Sequence, residues 1–466
     1  MIAVELIHYP IPILFMRFAA EFNNLRGSMP HELRHLGQLD SLHAQFNEGL
    51  HGNLPDALQH LPNLRSVGLQ YCNLAGQIPS WIGGMTQLTA LALGNNKFEG
   101  RFPTEVGKLH KLKFLALDNM GLKGSINEPL KHLQNLETLF LDNNVLSGQI
   151  SELVDSWSNM SELDLSGNML DGTLPNALFN EAKLPNLMVV DLHNNLFAGN
   201  LPENVYQNTN LQYLALQNNS LQGSITDRIG FLESLKHLDL SYNLLTGTVP
   251  NTIQGLTDLQ YLSTSGNKFI GQRMMNFARL TNLREFHMKR NGLSGTIPDW
   301  IGSLTHLRML DLHENQMYGT IPAAIGKLTN LNSLLLNRNE LTGTVPREMT
   351  DMHQLKVILL DKNSLSGSVQ PICDSNRVKP TYFISDCFPG LNGKPEVDCK
   401  CCTSCCADTD PTCNNKRWKS DFDPEWEYGF IRPSYKFDLT NLPAIATIED
   451  YTGDVVEETE SFDVQP

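Results

Sequence analysis

The sequence predicts an α/β-type repeat solenoid, in which short parallel strands stack turn on turn into one long sheet that a cysteine-rich cap closes. Three observations predict it. A skeleton L-x-x-L-x-L-x-x-N-x-(L/M)-x-G-x-(I/V)-P recurs every 24 residues, as in "LRMLDLHENQMYGTIPAAIGKLTN" from Leu307 and "LNSLLLNRNELTGTVPREMTDMHQ" from Leu331. The L-x-L segment alternates with the period of a strand, so Leu310 and Leu312 point to one side and Asp311 to the other. Eight of the nine cysteines fall between Cys373 and Cys413, where the period stops.

The elements follow in chain order. Residues 1–11 read as a degenerate N-terminal segment. "MIAVELIHYPIPILFMRFAA" is apolar but lacks a basic start and carries Pro10 and Pro12, which suits neither a secretory leader nor a complete N-terminus. Residues 12–370 form the solenoid of about 15 turns. Its Asn column runs Asn23, Asn47, Cys72, Asn96, Met120, Asn144, Asn168, Asn195, Asn219, Asn243, Asn267, Asn291, Asn315, Asn339 and Asn363. Twelve of its fourteen intervals are 24 residues, which fixes the register of every turn. A buried Asn amide where the chain leaves the strand can pair loop backbone groups that nothing else reaches. The Gly four residues later (Gly295, Gly319, Gly343, Gly367) suits a turn with unusual dihedrals. Pro follows it in ten turns from Pro30 to Pro346, where no sheet donor is lost.

This skeleton resembles the leucine-rich repeat family, and the 24-residue length with "SGTIP" and "TGTVP" resembles its plant-specific class. The resemblance implies a right-handed superhelix with a concave parallel sheet and a variable convex side. It also implies the company of receptor kinase ectodomains, receptor-like proteins and polygalacturonase inhibitors. The chain departs from the pattern at Cys72 and Met120 in the Asn column. It departs again at Asn127, Ser151, Thr226, Met274 and Gln370 in the Pro column, and it lacks the family's paired-cysteine N-terminal cap and any kinase domain.

Residues 371–415 are expected to cap the open end of the sheet, since an uncovered end would expose core and unpaired backbone. Cys373, Cys387, Cys399, Cys401, Cys402, Cys405, Cys406 and Cys413 permit four disulfides in any of 105 pairings. Thiolate clusters also bind soft metals, but this module has no histidine and no zinc-ribbon spacing, so disulfides are the favoured reading over a metal cluster or a redox centre. "CCTSCC" resembles tails that follow leucine-rich repeats in microalgal proteins. Residues 416–466 read as an irregular tail, acidic at its end, with seven carboxylates and no Lys or Arg over 449–466.

Function is sought on the face that the leucines do not occupy. A net charge of −15 argues against non-specific nucleic-acid binding, and no apolar run reaches the length of a membrane span. No Gly-rich loop joins a strand to a helix, and the Asp191–His193 and Asp311–His313 pairs lie five turns apart with no nucleophile in a matching elbow. Glu162 and Asp164 read as solvated strand carboxylates. The sequence is therefore read as non-enzymatic, with no cofactor and no metal.

In consecutive turns, Tyr213, His237 and Tyr261 occupy the column before the first strand leucine, and neighbouring strands lie ~4.8 Å apart. With Asp239, Phe140 and His287 they are the candidate ligand-binding ledge. Lys289, Arg290, Arg308 and Arg338, with Leu335 and Leu359 expected exposed, are the candidate partner surface, where a co-receptor could dock. The expected partner is a peptide, glycan or protein. The leading reading is an extracellular receptor-like module, secreted or at the cell surface. Its alternatives are an inhibitor of a secreted hydrolase and an intracellular scaffold with a metal-binding tail. Sequons at Asn159 and Asn218 agree with secretion. Cys72 reads as a packed thiol in place of Asn.

Overall fold

The computed structural model describes residues 16–150, 153–269, 273–375, 377–387 and 396–406, all within one compact unit, Met1–Trp418. The first segment, the acidic tail and Cys413 lie outside the described residues.

Each turn contributes one three-residue strand, from Arg17–Ala19 onward, and each strand pairs in parallel with the strand one turn later. The result is a single sheet of 17 strands. Register is kept throughout: Leu214 pairs with Leu238, which pairs with Leu262, and so on to Leu334 and Ile358. Because side chains alternate across a strand, that register piles the leucines into one continuous core.

The chain then turns through a left-handed residue before each ladder position (for example Asn95, Arg290, Glu314, Arg338 and Lys362, φ 55, 55, 55, 57 and 57). Behind it, most turns carry a short 3-10 helix, such as Ala323–Lys327, with proline as its N-cap in ten of them. Proline fits there because its fixed φ suits the cap (Pro322 φ −71) and the missing N–H has no intrahelical partner. Successive 3-10 helices approach so closely that only glycine fits at some contacts. A Cβ on Gly302 would lie 2.6 Å from the Ala324 carbonyl oxygen of the next turn.

The Asn column does what its position requires. Asn243 Nδ2 donates to the carbonyls of Leu240 in its own turn and Leu216 in the turn before, while its Oδ1 accepts from the Leu221 amide. The same pattern recurs at Asn96, Asn144, Asn168, Asn195, Asn219, Asn267, Asn315, Asn339 and Asn363. Cys72 substitutes its thiol, whose Sγ donates to the Ala44 oxygen at 3.0 Å; burial pushes that thiol up to about 11, so it stays protonated. Met120 makes no such bonds but is buried in the core.

The parallel sheet continues beyond residue 370. Tyr382–Ser385 pairs with Val357–Leu359, and Ser404–Cys405 pairs with Ile384–Ser385, so the cysteine-rich segment supplies the last two strands itself. Asp386 stands in for the ladder Asn, accepting from the Lys362 and Asn363 amides. Disulfides join Cys373 to Cys401, Cys387 to Cys405 and Cys399 to Cys402. Cys406 is also disulfide-bonded and is fully buried.

Two outcomes are expected. Asn291 donates to Thr264 and Met288 and accepts from the Asn267 amide. Replacing it with Ala leaves these buried groups unpaired and should cost roughly 1–3 kcal/mol in denaturant unfolding. Asn291→Cys should cost less, because a thiol can donate as Cys72 does; equal costs would refute the donor role. In the cap, peptide mapping of the non-reduced protein should recover Cys373–Cys401, Cys387–Cys405 and Cys399–Cys402, and any other pairing of these six would contradict the fold of the last two strands.

Candidate functional site

The face opposite the leucine core is built from the two outward positions of each strand. Strand register brings Tyr213, His237 and Tyr261 side by side, and their rings stack with centroids 4.1 and 4.3 Å apart and planes within 15°. The Tyr213 hydroxyl donates to Asp191 Oδ2 at 3.4 Å, and the Tyr261 hydroxyl donates to Asp239 Oδ2 at 3.3 Å. Tyr261 also meets the His287 ring at 5.3 Å. The ledge is a continuous stack, but it is not exposed: each of the three rings is only 6% accessible. Phe140 lies apart from it, half-buried and edge-on to Phe114.

The second cluster follows directly. His287 Nε2 is 3.2 Å from Glu285 Oε2, and its Nδ1 is 3.7 Å from Asp311 Oδ2. His313 Nδ1 bonds Asp311 Oδ1 at 2.5 Å, and Lys289 Nζ lies 3.4 Å from Asp311 Oδ2. Burial alone would raise the Asp311 carboxyl. The charges of His313 and Lys289 and the histidine hydrogen bonds outweigh it and hold the group well below the usual carboxylate range. Asp191 and His193 repeat the pairing five turns earlier, so each pair serves its own strand exit. Asp164 likewise accepts from the Ser166 amide and hydroxyl.

The candidate partner surface needs correction at two residues. Leu335 and Leu359 were expected to be exposed, yet both are fully buried on the sheet face outside the leucine core. The basic residues are also less free than their number implies. Arg290 and Arg338 both pair with Glu314, which bridges three successive turns, and the shared carboxylate is held low by the Arg290 hydrogen bond first of all. Lys289 is committed to Asp311, whereas Arg308 is half-buried at the strand entrance, between exposed Arg284 and Lys356 one and two turns away.

Both sequon asparagines hold structural places. Asn218 takes a left-handed conformation and donates to Asn194 at 2.7 Å. Asn159 belongs to a second asparagine column that sequence reading missed. Asn63, Asn135, Asn159, Asn210, Asn282 and Asn330 each donate to a carbonyl one turn back. Its signal was present in the Asn-Leu (Asn-Met at Asn159) that recurs before several of the strands. Also missed was a stack of Phe22, Phe46 and Tyr71, with centroids 4.4 and 4.7 Å apart, in which Phe22 is 73% exposed. Bulky aromatics disfavour φ near +55, so stacking offsets a local strain there.

No curated protein matches the sequence. Models of the leucine-rich repeat match at residues 63–85, 159–180, 209–269, 282–304 and 306–328. Among solved structures, the plant peptide hormone receptor RGFR1 in complex with RGF2 is 32% identical over 78% of this chain and 58% of its own, with TM-score 0.69. The Arabidopsis receptor kinase HAESA, solved with the peptide hormone IDA and the co-receptor SERK1, is 26% identical over 85% of this chain and 75% of its own, with TM-score 0.64. The Leptospira interrogans leucine-rich repeat protein LIC12759 is 30% identical over 74% of this chain and 77% of its own, with TM-score 0.53. This chain thus spans less than two thirds of the length of RGFR1.

One pH dependence follows from the acidic end of the face. Asp118 is buried over Gly94, bonded by Asn95 Nδ2, and burial with the nearby Asp164 charge raises its carboxyl to about 7. A raised folded-state value means the fold holds a proton that the unfolded chain releases above about 4. Its stabilising share is therefore complete at the acid end and is lost as pH climbs toward 7. Asp118→Asn should melt progressively higher than the parent as pH rises from 4 to 8, and a pH-independent difference would contradict this.

Proposed function

This chain belongs to the leucine-rich repeat family, and we propose that it is a non-enzymatic recognition module of the extracellular receptor-like kind, which binds an extended peptide across its concave sheet. One observation carries the reading. The Tyr213–His237–Tyr261 stack lies on the sheet face away from the leucine core, so three aromatic rings stand in register where core packing does not call for them. Stacked, anchored rings suit recognition because they lose little conformational freedom on binding. The acidic groups at Asp191 and Asp239 fix the ring edges, and Gln212, Lys236 and Gln260, immediately before the rings, form a polar rim. A peptide running across the strands would meet one such set every ~4.8 Å.

Peptide binding by RGFR1 and HAESA supports this choice of ligand over a glycan or a hydrolase. Disulfides in the cap agree with folding in an oxidising compartment, hence with secretion or display at a cell surface. The cationic column Arg284, Arg308 and Lys356, near the cap, is the place proposed for a second protein.

The reading is tested with the purified full chain against panels of peptides, wall glycans and secreted hydrolases. Capture of a peptide is expected; capture of a hydrolase with loss of its activity would support the inhibitor reading instead. Tyr213→Ala with Tyr261→Ala should weaken capture by roughly 2 kcal/mol or more. Because the rings are buried, that pair will also lower stability, so Tyr213→Phe with Tyr261→Phe separates the two effects by keeping the stack and removing only the hydroxyls. Unaltered binding by the alanine pair would move the site away from the rings.

A further inference from the structure

The cap disulfides are not three separate staples. The Sγ atoms of Cys373, Cys399 and Cys401 all lie within 4.8 Å of one another, and so do those of Cys387, Cys399 and Cys402. Cys399 belongs to both groups, so four other sulfurs, those of Cys373, Cys401, Cys387 and Cys402, gather around it. A tetrahedral soft cation with metal–sulfur bonds of about 2.3 Å places its ligand sulfurs about 3.8 Å apart. Sulfurs of different disulfides therefore need approach by about an ångström at most, while the bonded pairs Cys373–Cys401 and Cys399–Cys402 separate by about 2 Å once cleaved.

The backbone, and not the disulfides alone, holds these sulfurs in place. Cys373 ends the helix Gln370–Cys373, and its amide donates to the Val369 oxygen. Cys399 follows Val397–Asp398, which pairs with Gly367–Ser368. Cys402 precedes Thr403, whose amide and hydroxyl both bond Phe383. Cys387 follows Asp386, which is fixed by the Lys362 and Asn363 amides. None of these contacts is made through an S–S bond.

We propose that the cap, once reduced, is a binding site for one soft divalent cation of the zinc and cadmium class, with Cys399 as its central ligand. Three of Cys373, Cys401, Cys387 and Cys402 supply the remaining thiolates of the tetrahedral set. Reduction of each disulfide takes two electrons and two protons and gives two thiols; a phosphine supplies the electrons and becomes a phosphine oxide with oxygen from water. Each thiol that ligates then releases one proton to solvent. In the oxidised protein the same sulfurs are bonded in pairs and bind no cation. The cap thus covers the end of the sheet under either redox condition, by covalent bonds in one and by a metal in the other.

The test uses the full chain, oxidised or reduced without oxygen by a phosphine, titrated with cadmium ion alone. The reduced protein should show a thiolate-to-cadmium charge-transfer band that saturates at one equivalent, and the oxidised protein should show none. Cys399→Ser and Cys405→Ser each break one disulfide, but Cys405 belongs to neither sulfur group. In the reduced state, Cys399→Ser should weaken binding about a hundredfold or more, while Cys405→Ser should keep it within about threefold. No saturable band in the reduced protein, or equal losses in the two variants, would overturn the proposal.

Discussion

A chain that stacks on itself every 24 residues has one recurring problem: at each strand exit, backbone groups are buried where neither sheet nor helix can pair them. The Asn ladder solves it by linking adjacent turns, since each amide bonds carbonyls of two turns and accepts from a third backbone group. The rest depends on that link. It holds the turns in register, register aligns the leucines, and the aligned leucines form one core without long helices or distant contacts. The second asparagine column repeats the device on the entering side of several strands.

The same register makes the opposite face an ordered surface. Rings, carboxylates and cations stand in columns because the leucines behind them do. Columns of like groups carry a cost that the fold manages locally. Burial pushes the Asp118 carboxyl up to about 7, Asp311 gathers two histidines and a lysine, and Glu314 divides itself between two arginines. Much of the charge visible in the sequence is thus spent within the molecule.

The period, the strand positions, the Asn ladder and the alignment of Tyr213, His237 and Tyr261 were legible in the sequence because each is a local pattern repeated at fixed spacing. Accessibility was not. Leu335 and Leu359 occupy outward positions by alternation, but alternation says which side a residue takes and nothing of how much solvent reaches it. The pairing of Arg290 and Arg338 through Glu314 was hidden for a similar reason, since it joins residues 24 apart on loop positions that no strand pattern describes. The cap was legible as a cap, but not as two further strands of the sheet, because these carry no leucine skeleton; Phe383 takes the place of Leu, and Asp386 takes the accepting half of the Asn's role.

The left-handed residue at each strand exit has a consequence for how such a surface can vary. Phe22, Phe46, Tyr71, Asn95, Asn119, Asn143, Asn194, Asn218, Tyr242, Arg290, Glu314, Arg338 and Lys362 all take positive φ, with Gly167 and Gly266 completing the row. No valine, isoleucine or threonine stands among them, as expected where a branched Cβ meets the backbone. The rim of the sheet is therefore written in a restricted alphabet of glycine, amide, aromatic and long charged side chains. Diversification of this edge can alter charge, reach and hydrogen-bonding capacity freely, while compact branched apolar groups stay excluded by the geometry of the turn.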